Sequence, residues 1–248
     1  FRSLHSGSYG GSVINPANAL ADMIASLHNT QRRVTVPGFY DDVTPLSDKD
    51  RAAFAALPFD QVAYLAGIGA NTLYGEEGYS SVERRGGRPT LDVNGIWGGF
   101  TGDGSKTIIP AHAHAKISCR LVTDQDPVKI YAAVEAALRA AAPAGLQVEV
   151  TNLGNGHAFL TPLGDPYLDA AAAALTATFG REPLYIREGG SIPIAALFQR
   201  ELKLPVVLLG FTPPDDNAHA PNESMDLGNF EGGIRTVIRA LDAFAALD

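Results

Sequence analysis

The sequence predicts an α+β module over residues 1–155, an open antiparallel sheet with two helices on one face, followed by half of an α/β layered domain over 156–248. Strict alternation of apolar and polar residues over 111–122 is typical of a strand with one buried and one wet face. After residue 156 the pattern becomes helix, strand, helix, strand, helix, which is the order expected of a layered α/β domain.

Two capped helices belong to the first module. Asn15 and Asp126 each precede a proline, and an Asx N-cap followed by proline is a common helix start. Apolar residues at helical spacing follow both starts, which predicts one helix over 16–29 and another from 127 onward. Strands are also predicted at 90–96 and 146–150, and an extended segment at 35–42. Short helices are predicted at 47–58, where Ser47 and Asp50 resemble a capping signal, and at 59–69. Residues 73–89 are predicted to be a polar loop with one helical turn near Ser81.

The second part begins with an Ala-rich helix that Asp165 and Pro166 cap and that Gly180 closes. The continuous apolar run 205–209 is typical of a strand buried on both faces of a parallel sheet. A short strand at 184–186 and a short helix at 192–199 are also predicted. A final amphipathic helix presents an apolar face formed by Phe230, Ile234, Ile238, Leu241 and Phe244.

Composition excludes several classes of protein. Of the 248 residues 46% are hydrophobic and 19% are charged, which indicates a folded rather than a disordered chain. The net charge of −8 argues against binding to nucleic acid or to an anionic membrane. The single cysteine, Cys119, permits neither an intrachain disulfide nor a cysteine-rich zinc site. No signal peptide or membrane span is visible, so we expect a cytoplasmic protein.

Three polar segments are candidates for a functional site. His5 lies in the run HSGSYGG, where an exposed loop is the ordinary interpretation. The run REGGSIP at 187–193 places a carboxylate, a glycine pair and a hydroxyl between a predicted strand and helix, where α/β folds bind ligands; the alternative is an ordinary turn with a serine cap. The run DDNAHAPNE at 215–223 surrounds His219 with carboxylates, which suits zinc or another divalent ion; the alternative is a solvated acidic loop.

Two other matches fail. The run GSKT at 104–107 resembles the end of a phosphate-binding loop, but Ser105 occupies the position that requires glycine, and Ile-Ile-Pro follows where a helix should begin. His112 and His114 lie on one face of the predicted strand and would suit a metal, but nothing nearby adds a third ligand.

Taken together, the polar segments resemble the dinuclear-zinc metallopeptidase family of carnosinase, glutamate carboxypeptidase, aminoacylase and succinyl-diaminopimelate desuccinylase. The matching runs follow the family's order and cover nearly the whole chain: HSGSYGGSVINPANAL, GDGSKTIIP followed by AKISCRLV, GNGH, REGGSIP and DDNAHAPNE. HSGSYGG points to the carnosinase-like dipeptidase branch. The resemblance implies that residues 1–155 are a lid, or dimerisation domain, and that 156–248 are the C-terminal half of an α/β zinc-peptidase domain.

The resemblance also assigns roles to single residues. In the intact enzyme two zinc ions would bind a bridging water and lower its pKa, with His219 as a ligand of one zinc. His5, accompanied by Thr107, would reach into the partner subunit's active site and stabilise the developing oxyanion. Arg120 would hold the terminal carboxylate of the substrate through two hydrogen bonds. The other substrate-binding residues implied are His157, Gly190 and Ser191 around that carboxylate and Glu188 at the substrate amino group.

The implied function is hydrolysis of dipeptides or short peptides with a free C-terminal carboxylate, by a homodimer that associates through the lid. The family's first catalytic half carries an H-x-D motif and a Glu-Glu pair; no H-x-D occurs here, and Glu76 and Glu77 fall in the lid loop. We therefore expect the chain to be a fragment that is inactive alone and binds zinc weakly or not at all. Two alternatives stay open: an amino-acid deacylase of the same family and a non-catalytic dimerisation scaffold.

Overall fold

The structure is a computed structural model that describes residues 2–188, 192–213, 216–218 and 220–247. The described elements are, in chain order, β1 (Leu4–His5), α1 (Ser6–Tyr9), α2 (Pro16–Ala25), α3 (Asp48–Ala55), α4 (Gln61–Ile68), α5 (Ser81–Gly87), β2 (Thr90–Gly98), β3 (Ile108–Ile109), β4 (Ala113–Arg120), α6 (Pro127–Ala141), α7 (Pro166–Phe179), α8 (Pro193–Leu202) and α9 (Leu227–Phe244). None of the described helices combines the length and the apolarity that a membrane crossing requires.

The chain divides into two compact units. The first comprises Phe1–Arg51, Tyr74–Ala158 and Arg187–Ser191, and the second comprises Ala52–Leu73, Phe159–Ile186 and Ile192–Asp248. The sequence predicts instead two domains of continuous chain, residues 1–155 and 156–248, and this remains a prediction.

Two antiparallel strand pairs form the sheets of the first unit. β1 pairs with β3, with Leu4 opposite Ile109. β2 pairs with β4, with Leu91 opposite Cys119. The antiparallel pairing that the sequence predicts for this part of the chain is therefore confirmed, but the described strands form two separate two-stranded sheets rather than one open sheet.

A β-bulge at Asn94 interrupts β2, because Val93 and Gly95 oppose consecutive residues of β4. The extra residue shifts the alternation of side chains along β2 by one position. As a result Trp97 lies opposite His114 on the exposed face of the sheet, and the two rings stack with their centroids 5.2 Å apart.

The two capped helices predicted for this unit are present. The side chain of Asn15 accepts a hydrogen bond from the amide of Ala17 at 3.0 Å, and that of Asp126 accepts one from the amide of Val128 at 2.8 Å. α2 and α6 then contribute apolar side chains to a shared core with β2 and β4. The buried members of this core are Met23, Leu27, Val34, Val36, Phe39, Leu91, Ile130, Val134 and Leu138.

A buried carboxylate organises the segment that the sequence predicts to be a polar loop. Glu76 accepts two hydrogen bonds from Arg88, at 2.8 and 2.9 Å, and one from Arg33 at 2.8 Å. The carbonyl of Glu76 accepts a further hydrogen bond from Arg84 at 2.8 Å. The side chains of Glu76 and Arg88 are only 9% and 5% exposed, so each charge depends on the other rather than on water. Glu76, Arg33, Arg84 and Arg88 are named the Glu76 cluster.

Arginine and tyrosine side chains alternate beside the Glu76 cluster. The Arg33 guanidinium lies 3.8 Å from the ring centroid of Tyr40, and the Arg88 guanidinium lies 5.0 Å from Tyr40 and 4.4 Å from Tyr79. Arg51 of α3 continues this Arg–Tyr row at 5.0 Å from Tyr79. Because cations are attracted to ring faces, the row ties the start of α3 to the segment around residue 79.

In the second unit, α7 and α9 approach closely because small residues line their contact. A Cβ atom on Gly232 would lie 2.5 Å from the ring of Phe179, so this position requires glycine at the present separation of the two helices. The buried residues of the two helices are Ala171, Ala174, Gly232, Gly233, Thr236 and Ala240. The predicted apolar face of α9 is present but largely exposed, with Phe230, Ile234, Ile238 and Leu241 between 50% and 63% exposed.

Three predicted strands are absent from the described structure. Residues 146–150, 184–186 and 205–209 lie outside its helices and strands. Leu208, which the sequence predicts to be buried, is 53% exposed. An apolar run indicates burial, whereas a strand also needs backbone partners, and a single sequence does not show which segments pair. The 146–150 segment still packs on the core of the first unit, through Leu146, Val148 and Val150.

Replacing Glu76 with alanine leaves Arg88 buried without its carboxylate. We expect Glu76→Ala to lower the free energy of unfolding by about 3 kcal/mol, the usual effect of breaking a buried ion pair. Urea unfolding followed by circular dichroism measures this loss. The matched control is Glu77→Ala, because Glu77 is the exposed neighbour and its removal should change stability by less than about 0.5 kcal/mol. Equal effects of the two substitutions would contradict the importance of the buried pair.

Burial raises the pKa of the Cys119 thiol to about 11, and the charge of Asp92 adds to the shift. The raised pKa leaves little thiolate at pH 8, so alkylation of the folded chain by iodoacetamide should run about a hundredfold slower than that of the urea-unfolded chain. Because the folded state favours the neutral thiol, this contribution to stability should also be lost as the pH rises from 9 towards 11. Similar labelling rates in the two states would contradict burial of Cys119.

Candidate active site

The β1–β3 ladder brings together two residues that the sequence predicts to be catalytic. His5 lies opposite Ile108, and the amide of Ser6 donates a hydrogen bond to the carbonyl of Thr107 at 3.0 Å. His5 and Thr107 are both exposed. Two residues from distant parts of the chain are therefore neighbours at one accessible edge of the first unit.

Gly7 lies directly against the His5 ring. A Cβ atom at this position would stand 2.8 Å from Cε1 and 3.1 Å from Nδ1 of the imidazole, so glycine is what leaves room for the ring. His5 is the N-cap residue of α1, but its side chain makes no capping hydrogen bond. The ring nitrogens of His5 are therefore not engaged in helix capping, and a ring N–H can donate a hydrogen bond to a ligand.

Arg120, the predicted ligand of the substrate carboxylate, is the last residue of β4 and lies opposite Thr90. It is exposed on the polar face of the strand, as the alternation predicts, and Lys116 is exposed on the same strand. Arg120 is not a free cation, because it also interacts with another group of the chain. A guanidinium and an ammonium on one strand make this face suitable for an anionic group.

The remaining predicted site residues are not assembled by the described contacts. His157 and Glu188 are exposed and lie outside helices and strands. No hydrogen bond or ion pair within the described ranges joins these two side chains to each other or to His5. Gly190 and Ser191 of the predicted carboxylate pocket, and His219, the predicted metal ligand, lie outside the described residues.

The environment of Arg187, the first residue of the REGGSIP run, was not predicted from the sequence. Its guanidinium pairs with Asp50 of α3 at 2.7 Å. The pKa of the Asp50 carboxyl lies below its usual value because the Ser47 hydroxyl donates to it, and the Ser47 amide and Arg187 add to this effect. The sequence identifies Ser47 and Asp50 only as a helix-capping signal. Nothing in it indicates the ion pair, because the two partners are 137 residues apart.

The described residues do not form a metal centre. No group of three or more His, Cys, Asp or Glu side chains in this part of the chain could hold a metal ion. The rings of His112 and His114 lie 6.3 Å apart, but His114 is stacked on Trp97 and no third ligand joins them. The described residues alone therefore do not supply the ligands of the dinuclear zinc site that the resemblance implies, and the predicted ligand His219 lies outside them.

Comparison with known proteins matches most of the first unit to a protein family. Residues 2–146 match the family model M20_dimer, described as a peptidase dimerisation domain. The Cys-Gly metallodipeptidase DUG1 of Candida albicans is 33% identical to this chain over 242 residues, which cover 94% of this chain and 49% of that protein. The human Beta-Ala-His dipeptidase is 29% identical over 238 residues, which cover 94% of this chain and 47% of that protein.

Solved structures agree with these matches. The M20 family metallo-carboxypeptidase Sso-CP2 from Sulfolobus solfataricus is 30% identical and superimposes with a TM-score of 0.87, over 98% of this chain and 55% of that one. The chain thus spans about half the length of the curated relatives and of the solved structure that it matches.

Substituting Gly7 tests whether the His5 ring depends on the missing Cβ. Gly7→Ala should displace the imidazole and shift its ring-proton resonances, because a methyl group cannot occupy the same space. The NMR signals of His28, His112 and His114 should stay in place. Gly67→Ala is the control, since a Cβ there meets nothing within 4 Å. Unchanged His5 resonances in Gly7→Ala would show that the ring does not rest on Gly7.

Proposed function

The chain belongs to the M20 family of metallopeptidases, and we propose that the intact protein is a zinc-dependent dipeptidase acting on dipeptides or short peptides with a free C-terminal carboxylate. In this proposal residues 1–155 are the lid, or dimerisation domain, and residues 156–248 are the C-terminal half of the catalytic domain. The chain alone would be inactive, since the H-x-D motif of the family's first catalytic half does not occur in it.

The observation that carries the proposal is the β1–β3 ladder, which makes His5 and Thr107 neighbours on an accessible edge. An exposed imidazole in a unit whose described residues hold no metal site can take part in hydrolysis only by reaching a site on another surface. We propose that this surface belongs to a second copy of the protein. The lid would then form a two-fold interface, and each His5 would serve the active site of the partner subunit.

His5 would act on the oxygen of the scissile carbonyl. When water attacks the peptide carbon, negative charge develops on that oxygen, and an N–H of the His5 imidazole would donate a hydrogen bond to it. Thr107 would stand beside His5 in the same contact region. The hydrogen bond would be stronger in the transition state than with the neutral carbonyl, so His5 would raise turnover more than affinity.

The other proposed residues would hold the two charged ends of the substrate. Arg120 would bind the C-terminal carboxylate with two parallel hydrogen bonds, and His157, Ser191 and the amide of Gly190 would complete that pocket. The carboxylate of Glu188 would receive the amino group. Two zinc ions in the intact enzyme would supply an activated water, with His219 as one ligand.

An amino-acid deacylase of the same family is the second candidate. It would share the carboxylate pocket, but its substrate lacks the charged amino group, so a requirement for that group separates the two activities. A non-catalytic dimerisation scaffold is the third candidate, and the match of residues 2–146 to a peptidase dimerisation domain favours it. Hydrolysis of a dipeptide by the intact zinc-loaded protein would exclude the scaffold.

His5→Ala in the intact protein should lower kcat by about a hundredfold to a thousandfold, because one oxyanion donor is typically worth ~3 kcal/mol, and it should change KM little. Steady-state kinetics with a dipeptide measures both constants. His114→Ala is the matched control, since it removes another exposed imidazole of the same unit. A His5→Ala enzyme that keeps wild-type turnover would refute the proposed role.

Mixing two variants tests whether active sites share His5 across the interface. Subunits with His5→Ala keep an intact metal site, and subunits with His219→Ala keep an intact His5. In a mixed dimer one active site would contain both groups, so activity should reappear when the two poorly active proteins are combined. Proven heterodimers that recover no activity would exclude the shared site.

A further inference from the structure

We propose that Asp50 is a positioning residue, which through its ion pair with Arg187 keeps the carboxylate of Glu188 available for the amino group of the substrate. This inference rests on the proposed dipeptidase function and on the role given there to Glu188. Asp50 would thus join the residues that support substrate binding, although it lies in α3, where the sequence indicates only a capping signal.

The Asp50 carboxylate has a fixed direction, because its two oxygens have different partners. Oδ2 accepts hydrogen bonds from the hydroxyl and the amide of Ser47, at 2.6 and 3.1 Å. Oδ1 accepts one from Nη2 of Arg187 at 2.7 Å. The side chains of Asp50 and Arg187 are 27% and 32% exposed, so the pair is partly shielded from solvent.

The helix that carries Asp50 is itself anchored. The next residue, Arg51, pairs with Glu83 at 2.8 Å and ends the Arg–Tyr row above Tyr79. Glu83 is buried and forms a capping box with Ser80 at the start of α5. Asp50 is therefore held by the same contacts that organise the segment around the Glu76 cluster, and it transmits that rigidity to Arg187.

Charge explains why the pair matters for Glu188. Arg187 and Glu188 are adjacent in the chain and carry opposite charges, so the guanidinium is a cation that could neutralise the Glu188 carboxylate. Pairing with Asp50 gives that guanidinium another carboxylate. Glu188 is exposed and forms no ion pair with another described residue, which leaves its charge for an ammonium group. Without Asp50, Arg187 would turn towards Glu188 and compete with the substrate.

The prediction is a selective loss of affinity for the charged amino group. In the full-length zinc-loaded enzyme, Asp50→Asn keeps an oxygen that can accept from Ser47 but removes the charge. We expect KM for a dipeptide to rise about tenfold, the effect of losing one hydrogen bond to a charged group. We expect kcat to stay within about twofold of wild type, since the carbonyl chemistry is untouched. The inhibition constant of the des-amino analogue of the same dipeptide should not change.

Two further variants separate positioning from a merely structural role. Asp48→Asn, which alters the other acidic residue in the first turn of α3, should leave all three constants unchanged. In an Arg187→Met background, Asp50→Asn should have no further effect, because the competing cation is gone. A capping or folding role would persist in that background and would also weaken the des-amino analogue.

Each possible result either supports or overturns the positioning role of Asp50. Equal losses for the dipeptide and the des-amino analogue, no change in KM, or an undiminished effect in the Arg187→Met background would each overturn the inference. A wild-type full-length enzyme that hydrolyses no dipeptide would refute the proposed function, and the positioning role would fall with it. A raised KM for the dipeptide alone, dependent on Arg187, would establish Asp50 as the residue that keeps Glu188 available.

Discussion

The buried ion pair between Glu76 and Arg88 is the constraint on which the first unit of this protein depends. A carboxylate and a guanidinium that are both removed from water must stay together, because separating them would leave an uncompensated charge in the interior. The pair therefore ties Glu76, which lies outside the helices and strands, to Arg88 at the end of α5. Arg33 joins the same carboxylate from a position 43 residues earlier in the chain, so one acid anchors two stretches of chain.

Further contacts extend this constraint to residues that are close in space but belong to other parts of the sequence. The Arg–Tyr row carries it from Tyr40, which packs on the apolar core, to Arg51 in α3. Asp50 carries it to Arg187, beside the residues proposed to bind substrate. Rigid support of this kind is what a binding site needs, because a carboxylate that moves by an ångström loses much of its interaction with a charged ligand.

Local signals made the fold of the first unit largely predictable. The caps at Asn15 and Asp126 and the alternation along β4 depend only on neighbouring residues, and the structure contains both helices and the strand. The segment 205–209 is apolar in sequence but does not form a strand, because pairing depends on segments far away. The organisation around Glu76 was missed for the same reason, since its arginine partners lie 12 and 43 residues away.

The candidate site was predictable only through resemblance to a family. By themselves the residues around His5 predict an exposed loop, and only the ladder shows that Thr107 is its neighbour. The predicted metal ligand His219 and the pocket residues Gly190 and Ser191 lie outside the described residues. The pair of Asp50 and Arg187 has no signature in the sequence, because an acid in the first turn of a helix is ordinary capping chemistry.

The bulge at Asn94 has a consequence for how this strand can change in evolution. Loss of Asn94 would make Val93 and Gly95 neighbours in the chain, and because these two residues already oppose consecutive residues of β4, every later side chain of β2 would keep its face. Loss of a residue between the bulge and Trp97 would instead move Trp97 to the opposite face of the sheet. Asn94 is therefore a position at which this strand can be shortened while Trp97 stays opposite His114.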